Sequence, residues 1–246
     1  MPRHRSIPPA HDAYGQELWN CCHEKTAHEI VERDDGFIDL GDATQYFREH
    51  SQWPAHEREA IRFARGPAID VGCGAGRVSL YLQEQGLEVL AIDNSPLAIK
   101  TARKRGVKSA RVLDIRDIGT VRGSFASIVM YGNNFALLGS PARAKRLLAA
   151  MHRITTPDAR IIGAVCNPYL TKERAHLAYH ERNRRRGRWA GQLRIRIRFE
   201  QYVGVWFDYL FVSPEEVRKL VADTAWKVTE YVPGWGPLYV TVLEKR

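Results

Sequence analysis

Residues 68–76 read Ala-Ile-Asp-Val-Gly-Cys-Gly-Ala-Gly. An acid, Asp70, precedes three glycines on alternate residues, Gly72, Gly74 and Gly76, with Cys73 between the first two. Glycine at this spacing lets a backbone turn tightly and come close to a ligand. Arg77 then opens a run with apolar residues at helical spacing, so the turn feeds a helix N-terminus, whose unpaired N–H groups suit a carboxylate or phosphate. Two more acids close apolar runs further along. Leu87 to Asp93 is one such run, and Asp93 lies 17 residues after Gly76. An acid at the tip of a second strand is placed to take both hydroxyls of a ribose. Ala110 to Leu113 leads into Asp114-Ile115, and a fourth apolar run from Phe125 ends at Tyr131, before Gly132-Asn133-Asn134. This is the pattern of a nucleoside-bearing ligand spread over several strand ends.

The glycine spacing separates two cofactors. A dinucleotide site requires G-x-G-x-x-G or a final alanine. Counting from Gly72, the third position is Arg77, too large for the close helix–strand packing needed there. The match is to G-x-G-x-G with an acid two residues before it. This stretch, with the acids at 93 and 114, resembles the class I S-adenosylmethionine-dependent methyltransferases. The resemblance implies that the 70–76 loop, including Cys73, holds the methionine end of S-adenosylmethionine. Asp93, with Asn94 beside it, would take the ribose, and Asp114 and Ile115 would lie near the adenine. Tyr131 and Asn133 would complete the cofactor site at the end of the fourth strand. One departure is Ala126 after Phe125, where the family commonly has an acid of structural role.

The elements that position these residues alternate. Strands and helices succeed one another from Pro67 to Val165, the fifth strand being residues 159–165, which points to a mainly parallel sheet covered on both faces. The expected fold is α/β, a Rossmann-like seven-stranded mainly parallel sheet with an antiparallel last strand. Ser213-Pro214-Glu215-Glu216 starts a capped helix, and residues 226–232 and 238–244 are the last two strands. Residues 1–65 read as an N-terminal arm followed by a mostly helical cap, with helices over 16–31, 44–50 and 54–65. Residues 66–246 form the core domain, interrupted by an insertion at 166–213. Within it, 171–186 reads as a helix, and Leu193 to Phe199 alternates strictly as a half-buried strand does. Residues 202–212 are its hairpin partner, turned at Glu200-Gln201. An insertion leaving the fifth strand at its ligand-facing end is placed to form a lid over the cleft.

Candidate acceptor-site residues follow from that placement. The resemblance implies that the N-terminal cap covers the cleft, which offers Tyr14. Asn134 lies just past the fourth strand. His176 and His180, four apart, share a helix face, and either could serve as a general base or remain a packed helix histidine. Trp206 shares a strand face with Tyr202. Asn167-Pro168-Tyr169 is similar to a motif of amino-group methyltransferases but follows the wrong strand, so that chemistry is not carried over. No catalytic side chain is assigned.

Composition narrows the class. The 246 residues, 44% hydrophobic, suffice for one α/β domain with an insertion. No run approaches the roughly 20 apolar residues of a membrane span, and the N-terminus lacks an apolar leader core. Four cysteines at these spacings suggest neither a disulfide framework nor a metal site, and a reducing cytoplasm is the expected setting. The formal charge is +9, concentrated in residues 171–200, which hold ten basic and three acidic residues. Such a run can track nucleic-acid phosphates, but no nucleic-acid module accompanies it. The reading is an enzyme methylating a small molecule, with nucleic acid as the less favoured acceptor and a non-catalytic cofactor-binding protein as a further alternative.

Overall fold

Short, apolar, β-branched runs separated by helices have one economical solution, a twisted sheet with helices on both faces. The computed structural model describes residues 6–24 and 28–246. In chain order its strands are β1 (His28–Arg33), β2 (Ile38–Asp42), β3 (Ala68–Val71), β4 (Val89–Asp93), β5 (Ala110–Val112), β6 (Phe125–Met130), β7 (Thr155–Cys166), β8 (Gln192–Phe199), β9 (Tyr202–Val203), β10 (Phe207–Leu210), β11 (Trp226–Pro233) and β12 (Leu238–Lys245). The α-helices are α1 (Ala13–Glu24), α2 (Ala55–Ala60), α3 (Arg77–Glu84), α4 (Pro96–Lys104), α5 (Pro141–Arg153), α6 (Arg174–Arg185) and α7 (Pro214–Val221).

The main sheet has seven strands in the order β11-β12-β7-β6-β3-β4-β5. β7, β6, β3, β4 and β5 run parallel, and β12 is antiparallel to both of its neighbours. This is the expected Rossmann-like sheet with its antiparallel last strand. β3 and β6 are buried at every position, as strands covered on both faces must be. The helices are cut by capping side chains. Ser95, Ser140 and Ser213 each accept a backbone N–H in the first turn of α4, α5 and α7, with a full capping box at Ser213.

The second sheet departs from the expected helical cap. Its order is β10-β8-β1-β2, with β9 also on β8. The helix expected over 16–31 ends at Glu24, and the polar–apolar alternation His-Glu-Ile-Val-Glu-Arg forms β1 instead; residues 25–27 lie outside the described residues, as do the first five of the expected arm. The 44–50 segment holds 3-10 turns, and only Ala55–Ala60 of the 54–65 helix is α-helical. β1 pairs with β2 on one side and with β8 on the other. The N-terminal segment and the insertion therefore share one antiparallel sheet. The expected hairpin partner at 202–212 is broken at residues 204–206 into β9 and β10.

The register of this sheet divides its side chains between two faces. Glu29, Val31 and Arg33 of β1, Ile195 and Ile197 of β8, Phe207 and Tyr209 of β10, and Asp39 and Gly41 of β2 share the inner face. Glu32, Arg194, Arg196 and Arg198 lie on the outer one. There Arg196 and Arg198 bond Glu32 at 2.9 and 3.1 Å, and Arg194 meets Asp208 at 3.3 Å.

Candidate cofactor and acceptor cleft

A cavity of about 870 Å³ lies between the C-terminal ends of the parallel strands and the inner face of the second sheet. Its floor begins with the β3–α3 turn. Gly72, Gly74 and Gly76 have φ of +68°, +52° and +82°, the left-handed region that side chains resist. A Cβ on Gly72 would meet the Asn134 amide at 2.5 Å, and one on Gly74 would meet the Tyr14 hydroxyl at 2.6 Å. Asn134 donates to the carbonyls of Val71 and Gly72 at 3.1 and 2.8 Å, so it braces this turn from the end of β6.

The three strand-end acids differ in what they hold. Asp70 is buried, and its Oδ2 accepts from the Ser79 amide and hydroxyl at 3.1 and 2.7 Å, tying β3 to the first turn of α3. Burial outweighs those bonds and raises its carboxyl to about 6. Asp93 accepts one backbone N–H on each oxygen, from Gly74 at 3.0 Å and Ser95 at 2.9 Å, and burial raises it to about 6 as well. Each oxygen keeps a free acceptor site, and the side chain lines the cavity. Asp114 is clasped by Arg116 at 2.8 and 2.6 Å. Although burial opposes it, that pairing holds the Asp114 carboxyl below the usual carboxylate range. Asn94 reaches toward Asp114 at 3.5 Å, and Ile115 lines the same end.

Cys73 is buried, its thiol pushed well up by burial and away from reactivity. Tyr131 is buried and donates to the Glu57 carbonyl at 2.9 Å. Asn133 has φ +63°, and its carbonyl accepts the Tyr209 hydroxyl at 2.8 Å, joining the β6 end to the second sheet. Of the expected cofactor residues, all except Gly74 and Gly76 line the cavity.

A left-handed glycine turn on the cavity floor, beside a buried acid with two adjacent acceptor oxygens, suits the methionine end and the ribose of S-adenosylmethionine. Fold and site together are those of the class I S-adenosylmethionine-dependent methyltransferases. Residues 68–158 match a family model described as a methyltransferase domain. A methyltransferase structure from Bacteroides fragilis, in complex with S-adenosyl-L-homocysteine, superposes with a TM-score of 0.85 at 27% identity, covering 100% of this chain and 99% of that one. The protein YqeM of Bacillus subtilis is 25% identical over 131 residues, so the match spans about half of each chain, 52% of this one and 53% of that relative. The ubiquinone biosynthesis O-methyltransferase of Xylella fastidiosa strain 9a5c is 48% identical over 48 residues, 20% of each.

The expected acceptor residues also border the cavity. The Tyr14 ring packs edge-on against Tyr46, with centroids 5.6 Å apart. His176 Nδ1 lies 3.1 Å from the Thr171 hydroxyl and its ring meets Phe37 edge-on. His180 is buried beside Tyr169, and burial lowers both imidazoles. Trp206 is half-buried under the Arg196 guanidinium, 4.5 Å from its ring centre.

Two acids at or beside the cleft were not found from the sequence. Glu57, on the short α2, meets Arg77 at 2.6 Å and accepts the Gly132 N–H at 3.0 Å. Glu29, on the inner face of β1, accepts from the Tyr46 hydroxyl on both oxygens at 3.0 and 3.1 Å. The alternation of residues 28–33 was the signal available for Glu29. Glu57 had none, because its partners lie 20 and 75 residues away. No described helix is long and apolar enough to cross a membrane.

Proposed function

We propose that the protein transfers a methyl group from S-adenosylmethionine to a small molecule enclosed between the two sheets. The observation that carries this reading is the continuity of the cavity, from Asp93 and Gly72 on the floor to Glu29, Ile195 and Tyr209 on the roof. Bound in the cleft, S-adenosylmethionine would supply a methyl group already activated on a sulfonium. The chain's own residues then have to align and to exclude water. Gly72, Cys73, Gly74 and Gly76 would admit the cofactor's methionine end, with Asp70 setting their turn through Ser79. Asp93 would orient the ribose. Asn94, Asp114 and Ile115 would border the adenine, and Tyr131 and Asn133 the far wall.

Tyr14, Asn134, His176, His180 and Trp206 remain proposed acceptor contacts, and with them residues 1–65 and 166–213 would enclose the acceptor. The apolar inner face of β8 supports an organic acceptor of modest size. A nucleic-acid acceptor has less support, since Arg194, Arg196 and Arg198 are engaged with Asp208 and Glu32. A cytoplasmic setting is proposed from the four free thiols. The test is a metabolite extract incubated with the protein and isotope-labelled S-adenosylmethionine, read by mass. A labelled product below 1 kDa, on the order of the cavity's capacity, is expected. Label incorporated only into RNA or DNA would overturn the reading.

A further inference from the structure

The charges around the cleft are sorted unequally. Its arginines are each tied to a carboxylate: Arg33 to Asp35 at 2.7 Å, Arg77 to Glu57 at 2.6 Å, Arg116 to Asp114 at 2.6 Å, and Arg143 to Asp208 at 2.8 Å. Asp70 and Asp93 are occupied by Ser79 and by backbone N–H groups. Glu29 has no such compensation. It is 7% exposed, lines the cavity, and among the described residues is hydrogen-bonded by the Tyr46 hydroxyl alone. Opposite it across the β1–β2 pair is Gly41, where a Cβ would come within 2.9 Å of Glu29 Oε2. The absent side chain leaves room for that carboxylate.

A second acid stands close by. Glu17 on α1 is fully buried, and neither of its carboxylate oxygens has a hydrogen-bond partner. Its charge and that of Glu29 oppose each other, and Asp39 on the inner face of β2 opposes Glu29 as well. Buried carboxylates without a cation are costly. Glu17, outside the cavity lining, is relieved by keeping its proton, whereas Glu29 lines the cavity and can be met by a cation that arrives from outside the chain. The surroundings suit one, because Tyr14, Tyr46, Phe37 and Tyr209 border the same space, and aromatic faces attract ammonium groups. A neutral hydroxyl gains little from this arrangement, and a carboxylate is repelled by it.

We propose that the acceptor is a cationic amine whose ammonium group is held under the second sheet by Glu29. The inference rests on the methyltransferase reading but concerns the acceptor alone. It is tested by calorimetry with the protein saturated with S-adenosylhomocysteine, titrated with the isosteric pair 2-phenylethylamine and 2-phenylethanol and with the anion 3-phenylpropionate. The amine is expected to bind about tenfold or more tighter than the alcohol, the value of one charge-assisted hydrogen bond. The carboxylate should bind weakest. Glu29→Gln should erase the preference, while Glu32→Gln, on the outer face, should keep it. Tyr46→Phe, which leaves the charge in place, should also keep it. Retained S-adenosylhomocysteine binding shows that each variant is folded. An amine that binds no better than the alcohol, or a preference that survives Glu29→Gln, overturns the proposal. So does a Glu29→Gln protein that loses affinity for S-adenosylmethionine but not for S-adenosylhomocysteine, since the charge would then serve the sulfonium. Failure of the wild-type protein to bind S-adenosylhomocysteine would instead overturn the methyltransferase reading.

Discussion

Arg77 and Glu57 form an ion pair at 2.6 Å in which the two side chains are only 11% and 4% exposed. Arg77 is the first residue of α3, directly after the glycine turn, and its guanidinium also covers the Trp53 ring at 4.8 Å. Glu57 accepts the Gly132 N–H with its other oxygen, and its carbonyl takes the Tyr131 hydroxyl. One acid from α2 thus binds the end of β6 to the start of α3, across the mouth of the cofactor loop. The arginine that departs from a dinucleotide motif is the anchor of this clamp.

Removing one partner of a buried pair leaves an uncompensated charge, at about 3–5 kcal/mol. Glu57→Ala is therefore expected to lower unfolding free energy by that order in urea titration, and to weaken S-adenosylhomocysteine binding by misplacing Gly132. The double variant Glu57→Gln with Arg77→Met should recover most of the stability. A single variant as stable as wild type would show that the pair contributes nothing.

Asp93 and Asp70 should separate in their effects. Asp93→Ala removes the acceptor proposed for two ribose hydroxyls, worth about 2–4 kcal/mol, or roughly 30- to 1000-fold in affinity for S-adenosylhomocysteine. Asp70 spends its bonds on Ser79, so Asp70→Asn should mainly lower thermal stability. Calorimetry and thermal melts on both variants check this. Equal losses of affinity with unchanged melting would mean that both acids touch the cofactor.

The main sheet was legible in the sequence because its signals are local. Each acid closes an apolar run, and α4 and α7 open on serine caps at Ser95 and Ser213. The second sheet was not, because β1 and β8 are more than 150 residues apart and neither forms a sheet alone. Residues 16–24 are helical, and the reading carried that helix on through the Glu-Ile-Val of β1. The alternation of β8 was clear and its partner in 202–212 is present as β9 and β10, but nothing local pointed to β1 on its other edge. Glu32 then explains the arginine ladder, which composition alone presents as free positive charge.

That pairing sets an expectation for nucleic acid. Six phosphate contacts would give a log–log salt slope near −5 on duplex DNA. With Arg196 and Arg198 held by Glu32, and Arg184 and Arg185 near Glu181 at 3.8 and 3.0 Å, few cations are free to release counterions. Fluorescence anisotropy on RNA and duplex DNA across a salt series should show weak binding with a slope no steeper than about −2. Changing Arg184, Arg185 and Arg186 to Ala should alter it little. Sub-micromolar binding at physiological salt, lost in that triple variant, would favour a nucleic-acid acceptor.

Glu17 gives the fold a pH dependence of definite sign. Burial, reinforced by the Glu29 charge, raises its carboxyl from 4.5 to about 9. The folded state therefore binds a proton that the unfolded chain releases near its ordinary pKa. A raised acid leaves stability intact below the unfolded value, and stability is lost as pH rises toward the folded one. Asp70 and Asp93, raised to about 6, act in the same direction but finish by about that pH. Between about pH 6.5 and 8.5 the slope attributable to Glu17 approaches roughly 1.4 kcal/mol per pH unit. Histidines lowered by burial, such as His56 and His180, act at lower pH and are present in wild type and variant alike. Glu17→Gln, which keeps the shape and cannot ionise, should thus match wild type near pH 5 and exceed it increasingly toward pH 8.5. Urea unfolding at a series of pH values measures both curves. Parallel curves across that window would mean that Glu17 is ionised in the folded protein.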